Sequence, residues 1–243
     1  MDNIKAFLGR GAVAGLIGGI ATALFQWIVV ERQIDKALAI EAANAAPGEA
    51  GDEMFTRVQQ ISGGMLAAVI YGVCLGVVFA FACAVLWPRL RGETAFSRSI
   101  KLAVVAYASW VLVPNLKYPA NPPAVGDPDT VGQRTATYLC LLAASLVIAF
   151  AAWELWERLT ARGMDGGERF ALVAAAYLAA VTLAWVLFPA NPDPLEVPAN
   201  LIWHFRIQSL AGNAILWVVI GTTFGILADR AMSPARARRP AMF

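Results

Sequence analysis

The 243 residues are 59% hydrophobic and only 15% charged, with a formal net charge of +2 and a mean hydropathy of +0.61. This composition excludes a water-soluble domain. It also excludes the strongly basic footprint of a nucleic-acid-binding protein.

In chain order, six stretches carry no Asp, Glu, Lys, Arg or His: 11–30, 63–87, 102–116, 135–153, 170–188 and 207–228. Each is near the ~20 residues at 1.5 Å rise that cross a hydrocarbon core of ~30 Å. Together they fill about half of the chain, which leaves no room for an appended soluble enzyme domain. The runs are continuous and rich in Ala, Leu and Val, without the two-residue alternation of a barrel strand, so they predict helices. The first resembles a signal peptide at Ala21, Thr22 and Ala23, but its apolar run continues through Phe25, Trp27 and Val30 and predicts an uncleaved anchor. The third ends at Pro114 and is expected to begin a turn early, near Ser99. The expected architecture is all-α, a polytopic bundle of six transmembrane helices in a single membrane domain over 1–230, with a basic cytoplasmic tail over 231–243.

Small residues four apart let helices approach closely in lipid. Gly11, Gly15 and Gly19 form such a seam on the first helix, Gly72 and Gly76 on the second, Ala171, Ala175 and Ala179 on the fifth, and Gly221 and Gly225 on the sixth. A compact bundle explains them better than a dimerisation signal. Cys74, Cys83 and Cys140 lie inside predicted spans, lack CxxC spacing, and are expected to be buried packing residues.

The loops contain an internal repeat. Tyr118-Pro119-Ala120-Asn121-Pro122 recurs as Phe188-Pro189-Ala190-Asn191-Pro192, and Arg134 and Arg206 open the helices that follow. The run from Arg206 also matches the run from Arg57 before helix two. The chain therefore divides into three tandem helical hairpins, about 8–88, 99–156 and 169–230, with the first lacking the Pro-Ala-Asn-Pro element in its 31–56 loop. Repeats with an even number of spans insert the same way up, which predicts pseudo-symmetry about the membrane normal. Arg57, Arg134 and Arg206 each sit where the positive end of a helix dipole opposes them. They are either snorkelling anchors or members of a ring that pairs with carboxylates and loop carbonyls.

Chemistry concentrates in the stretch 117–135, KYPANPPAVGDPDTVGQRT, whose five prolines make it a rigid, non-helical loop. Its carbonyls with Asn121, Asp127 and Asp129 offer hard oxygen ligands to a divalent cation. The competing reading makes Asp127 and Asp129 turn-forming and capping residues. His204, the one histidine of the chain, precedes helix six and is either a metal ligand or an interfacial partner of Asp193 or Glu196. Gln26, Tyr71, Tyr107, Asn115, Gln133, Tyr138, Gln208 and Asn213 are the polar residues in or beside the spans, and none relays protons as a carboxylate does. No GxxxxGK[ST] phosphate loop, HExxH or catalytic triad is present.

The 117–135 stretch, the FPANP repeat, the WHFRIQSL segment at 203–210 and the ADR ending the last helix together resemble the CbtA family of predicted cobalt transporter subunits. The resemblance extends from about Leu8 to Arg230. It implies a bacterial multi-pass inner-membrane protein in Co2+ uptake for cobalamin supply, with no permanently bound cofactor. It also implies a small single-span CbtB-type partner with a histidine-containing tail. The metal-handling residues expected from the loops are Asp127, Asp129, His204, Asn121 and Asn191, with Arg57, Arg134, Arg206, Tyr118, Pro119 and Pro189 in structural or pathway roles. The alternative function is a non-transporting accessory or scaffold subunit of a larger membrane complex.

Of the 19 basic residues, 13 fall on the side of the termini, so the termini are predicted cytoplasmic. A cysteine introduced into the 117–135 stretch is expected to react with an impermeant maleimide from the outside of the cell. Labelling only from the cytoplasmic side would overturn the orientation.

Overall fold

The computed structural model describes residues 4–44, 55–123, 125–191, 193 and 197–232. Glu196 and the arginines of the C-terminal tail, Arg236, Arg238 and Arg239, lie outside them. Among the described residues the secondary structure is helical with no strand, and six helical segments are long and apolar enough to cross a membrane: Ile4–Ala43, Arg57–Leu86, Ala95–Lys117, Pro128–Ala161, Gly166–Leu187 and Ala199–Met232. The chain forms two compact units, one of residues 1–106 with 207–243 and one of residues 107–206. Their boundaries fall inside the third and sixth spans.

The first span is longer than its apolar run. Helix α1 (Ile4–Phe25) passes through a π-helical turn at Gln26–Val30 into α2 (Glu31–Asn44), where the hydrophobic pattern predicts a loop. The segment ERQIDKALAIEAAN holds no Gly or Pro and contains four Ala and two Glu, so intrinsic propensity carries the helix on. Gln33 and Ala37, one turn apart, are its buried face. Glu31 and Asp35, also one turn apart, both grip Arg57, whose Nη2 donates to Asp35 Oδ1 at 2.7 Å and also to Glu31. That arginine opens α3 (Arg57–Leu86) behind a capping box, in which Gln59 Oε1 accepts the Thr56 N–H at 2.9 Å and the Thr56 hydroxyl accepts from Gln59.

The glycine seams of α1 and α3 face each other. A Cβ on Gly15 would fall on the Gly72 carbonyl, and one on Gly11 on the Gly76 carbonyl. Backbone therefore packs on backbone, within one chain. In the same unit, a Cβ on Gly221 would lie 2.6 Å from Ala103 Cβ, and one on Gly225 2.8 Å from Phe96 Cα. These glycines belong to α8 (Ala199–Met232), and Ala103 and Phe96 to α4 (Ala95–Tyr107). The interior is aromatic: Phe79 stacks edge-on with Phe224 at 5.5 Å, and Phe7 approaches Phe224 at 5.7 Å. The buried Ser99 hydroxyl donates to the Gly221 carbonyl at 2.7 Å, whereas the buried Trp217 indole N–H and Gln208 Oε1 have no hydrogen-bond partner among the described residues. Asp229, from the ADR run, caps α4 across the unit, accepting the Ala95 N–H at 2.7 Å and the Phe96 N–H at 3.2 Å. This cap explains why the third span begins at Ala95, a turn before Ser99. Of the three cysteines only Cys83 is buried; Cys74 and Cys140 are exposed, which corrects the expectation of three packing residues.

The second unit holds α5 (Val113–Lys117), α6 (Val131–Ala161) and α7 (Gly166–Leu187). A π-helical turn at Ala108–Leu112 leads into α5, with the Val113 N–H donating to the Ala108 carbonyl. The next residue, Pro114, has no N–H to offer the Ser109 carbonyl. The buried Ser145 hydroxyl of α6 supplies that donor at 2.8 Å, and the Trp185 indole of α7 donates to the Val113 carbonyl at 3.2 Å. Proline thus frees the Ser109 carbonyl for α6, and the Trp185 bond joins α7 to the start of α5.

Gly15→Val should lower stability by about 3 kcal/mol, the upper end for overpacking, since backbone rather than a movable side chain meets the new atoms. Gly9→Ala, where a Cβ meets nothing within 4 Å, is the control. Equal thermal midpoints for the two variants in detergent would contradict the backbone-on-backbone seam.

Candidate functional site

Both Pro-Ala-Asn-Pro loops lie at one end of the second unit. The first runs from α5 to a 3-10 turn at Pro128–Thr130 and the second follows α7. Their contacts are exchanged. The Tyr118 hydroxyl of the first loop donates to the Pro189 carbonyl of the second at 2.5 Å. Arg134, which follows the first loop, pairs with Asp193 of the second, Nε to Oδ2 3.1 Å. Arg206, which follows the second, lies two turns inside α8 rather than opening it, because the helix already starts at Ala199, and it donates from Nη2 to Asn121 Oδ1 of the first at 2.9 Å. Each loop is held by the arginine belonging to the other copy.

Asp193 is the centre of this exchange, with its side chain 2% exposed. Besides Arg134, the Asp127 N–H donates to Oδ2 at 3.2 Å and the Thr130 hydroxyl to Oδ1 at 2.9 Å. The Arg134 Nε contact is an ion pair rather than an aligned hydrogen bond; Nη2 makes the aligned one, donating to the Asp127 carbonyl at 3.0 Å. Gly126 passes beside the pair with φ +105°, and a Cβ there would lie 2.8 Å from Asp193 Oδ2. Both its dihedral and the close approach require glycine. Burial pushes the Tyr118 phenol above its ordinary value. A folded value raised in this way means that the Tyr118 to Pro189 bond is fully present below about pH 10 and is lost only as pH rises through the raised value.

Between the loops and the start of α6 lies a cavity of about 440 Å³. Tyr118, Pro119, Asn121, Arg134, Pro189 and Asn191, all singled out in the sequence, line it. Three further polar residues in its wall, Asn115, Gln133 and Tyr138, are visible in the sequence only as polar positions beside spans. The signal that could have joined them is helical spacing: Gln133 and Thr137, like Arg134 and Tyr138, stand four apart at the loop end of α6. Asn115 Nδ2 donates to the Val111 carbonyl at 2.9 Å and the Thr137 hydroxyl to the Gln133 carbonyl at 2.8 Å.

The remaining candidates lie elsewhere. Asp127 caps the 3-10 turn, its Oδ1 accepting the Asp129 N–H at 2.8 Å, and both aspartates are exposed beside the cavity rather than in its described wall. His204 is exposed on α8, its Nδ1 2.8 Å from the Asn200 carbonyl. The expected pairing of His204 with Asp193 gives way to Arg134, because a nearly buried carboxylate is matched best by a permanent charge. Arg57 belongs to the first unit and pairs there with Glu31 and Asp35. All three repeat arginines therefore meet oxygen partners. Among the described residues no group of three or more His, Cys, Asp or Glu is placed to hold a metal ion.

Asp193→Ala should cost about 3 kcal/mol, the lower end for breaking a buried pair, because Arg134 keeps some access to solvent. Asp129→Asn should stay within about 0.5 kcal/mol. Unfolding in detergent measures both, and a silent Asp193→Ala would contradict the central role of the pair.

The searches of curated proteins and of solved structures return no match. Six membrane-length helices carry the paired loops, residues 4–229 match the family model CbtA, described as a probable cobalt transporter subunit, and the chain belongs to that family.

Proposed function

We propose that this chain is the membrane subunit through which Co2+ enters a bacterial cell for cobalamin supply, and that the cavity between the two loops is its collecting vestibule. The observation that carries the reading is the meeting of both repeat copies at one cavity, with Asn121 and Asn191 in the same wall. Irregular backbone in a membrane protein persists where it is buried in protein or borders water, and a cavity of this volume between the loops is such a border. In this reading the loops face outward, the termini lie in the cytoplasm of an inner-membrane protein, and Asp127 and Asp129 at the cavity edge raise the local cation concentration. A single-span partner of CbtB type completes the transporter. Pseudo-symmetry of the hairpins about the membrane normal is part of the same proposal, supported by the way the two loop copies exchange partners at one end of the unit.

The test is radioactive cobalt uptake in cells carrying the complete locus, with and without this gene. Deletion should remove the saturable component. Replacing Asp127 and Asp129 together by Asn preserves capping, so protein abundance should hold while the initial rate falls about tenfold, the lower end for electrostatic steering. Uptake that persists after deletion would favour the accessory-subunit reading, to which the packed aromatic interior of the first unit is suited.

A further inference from the structure

In the first unit the turn between α3 and α4 is rich in cations. Residues 87–101 carry Arg89, Arg91, Arg98 and Lys101 against one carboxylate, Glu93. Helix α3 ends at Leu86 and α4 begins at Ala95, so the turn lies where two membrane-length helices leave the bilayer. The Arg98 guanidinium stands over the Trp87 ring, 5.2 Å from its centroid, and its Nε donates to the Gly92 carbonyl at 3.0 Å. Lys101, one turn further on, donates to the Arg91 carbonyl at 3.1 Å. Carbonyls orient these two side chains without cancelling their charge, unlike the carboxylates that meet Arg57 and Arg134. Asp229, which reaches the start of α4, is turned to the Ala95 and Phe96 N–H groups.

The bond through Nε leaves Arg98 its two terminal nitrogens, and paired N–H donors of this kind match two oxygens of a phosphate. Tryptophan marks the headgroup level of a bilayer. Val104 and Val105 are exposed on the face of Lys101, one turn and about 5 Å deeper along α4. Oriented cations at the headgroup level above an apolar strip match a molecule with a phosphate head and acyl chains. We infer that Arg98 and Lys101, set by Trp87 and the loop carbonyls, hold the headgroup of an anionic phospholipid whose acyl chains run along Val104 and Val105. In the orientation proposed above, that lipid belongs to the cytoplasmic leaflet. The loop after α6 repeats the stacking, with Arg169 over Trp156 at 4.4 Å, but residues 154–169 hold four carboxylates against three arginines and offer no net positive charge. The site is independent of the ion that the chain carries.

The test follows the thermal midpoint of the purified full chain in an uncharged detergent during titration with phosphatidylglycerol, with phosphatidylcholine of the same chains, or with glycerol 3-phosphate as a headgroup without chains. Phosphatidylglycerol should raise the midpoint saturably, and the other two should leave it in place. Arg98→Gln combined with Lys101→Gln should raise the half-saturating phosphatidylglycerol concentration several-fold. The same loss of charge in the loop after α6, Arg158→Gln with Arg162→Gln, should not change it. Where the first pair folds poorly, Lys101→Gln alone at its exposed position carries the comparison. An equal rise with phosphatidylcholine, a half-saturation unchanged in the folded α4 variant, or an equal weakening by both pairs would overturn the site. A midpoint raised by glycerol 3-phosphate would overturn the lipid and assign the cations to a soluble phosphate ester.

Discussion

A guanidinium drawn partly out of water needs an oxygen partner. In this protein the need is met by exchange: Arg134 takes Asp193 from the second loop copy, and Arg206 takes Asn121 from the first. Neither proline-rich loop can then move without leaving a charge unmatched, and the Tyr118 to Pro189 bond ties them once more. The cavity exists because these loops are held apart from the start of α6 yet bound to one another. An ion pair with one nearly buried partner adds little net stability over an apolar contact, but it fixes geometry, since every arrangement that breaks it is costly.

The first unit is built on a different constraint. There the chain approaches itself so closely at Gly11, Gly15, Gly72 and Gly76 that no side chain fits, and aromatic rings fill what remains. Polar backbone groups are satisfied by neighbours in sequence or by single hydroxyls such as Ser99. In the second unit Pro114 leaves the Ser109 carbonyl to the Ser145 hydroxyl, and Trp185 reaches the Val113 carbonyl. The first unit keeps its charged groups at Arg57 and Asp229 beside a glycine and aromatic interior, whereas the second gathers two irregular loops about one ion pair.

Six spans, their glycine seams and the doubled Pro-Ala-Asn-Pro loop can be read from residue spacing, because lipid imposes length and apolarity and close packing imposes small residues. The continuation of the first helix through Glu31 to Asn44 could not be read from hydrophobicity, since its charged face hides an ordinary helix former. Partner exchange was also out of reach. A repeat marks Arg134 and Arg206 as equivalent but says nothing about whether each closes on its own loop or on the other copy's. In the sequence Asp193 stands only as a candidate neighbour for His204, whereas its burial, which selects a permanent positive charge, is a tertiary property. Asp229 belongs to a recognisable run at the chain's last helix, yet its role as a cap on α4 needs the two helix ends side by side.

The central claim is that cobalt passes through the cavity bounded by the two loops. Ala190 lines that cavity without a part in the loop exchange, so Ala190→Cys places a reactive thiol in the path while Cys74 and Cys140 are replaced by Ala. The direct measurement is cobalt uptake after a bulky impermeant maleimide has reacted with that cysteine. The account predicts that modification stops uptake and that Co2+ in the medium slows the modification. Full uptake by the completely modified protein would contradict it.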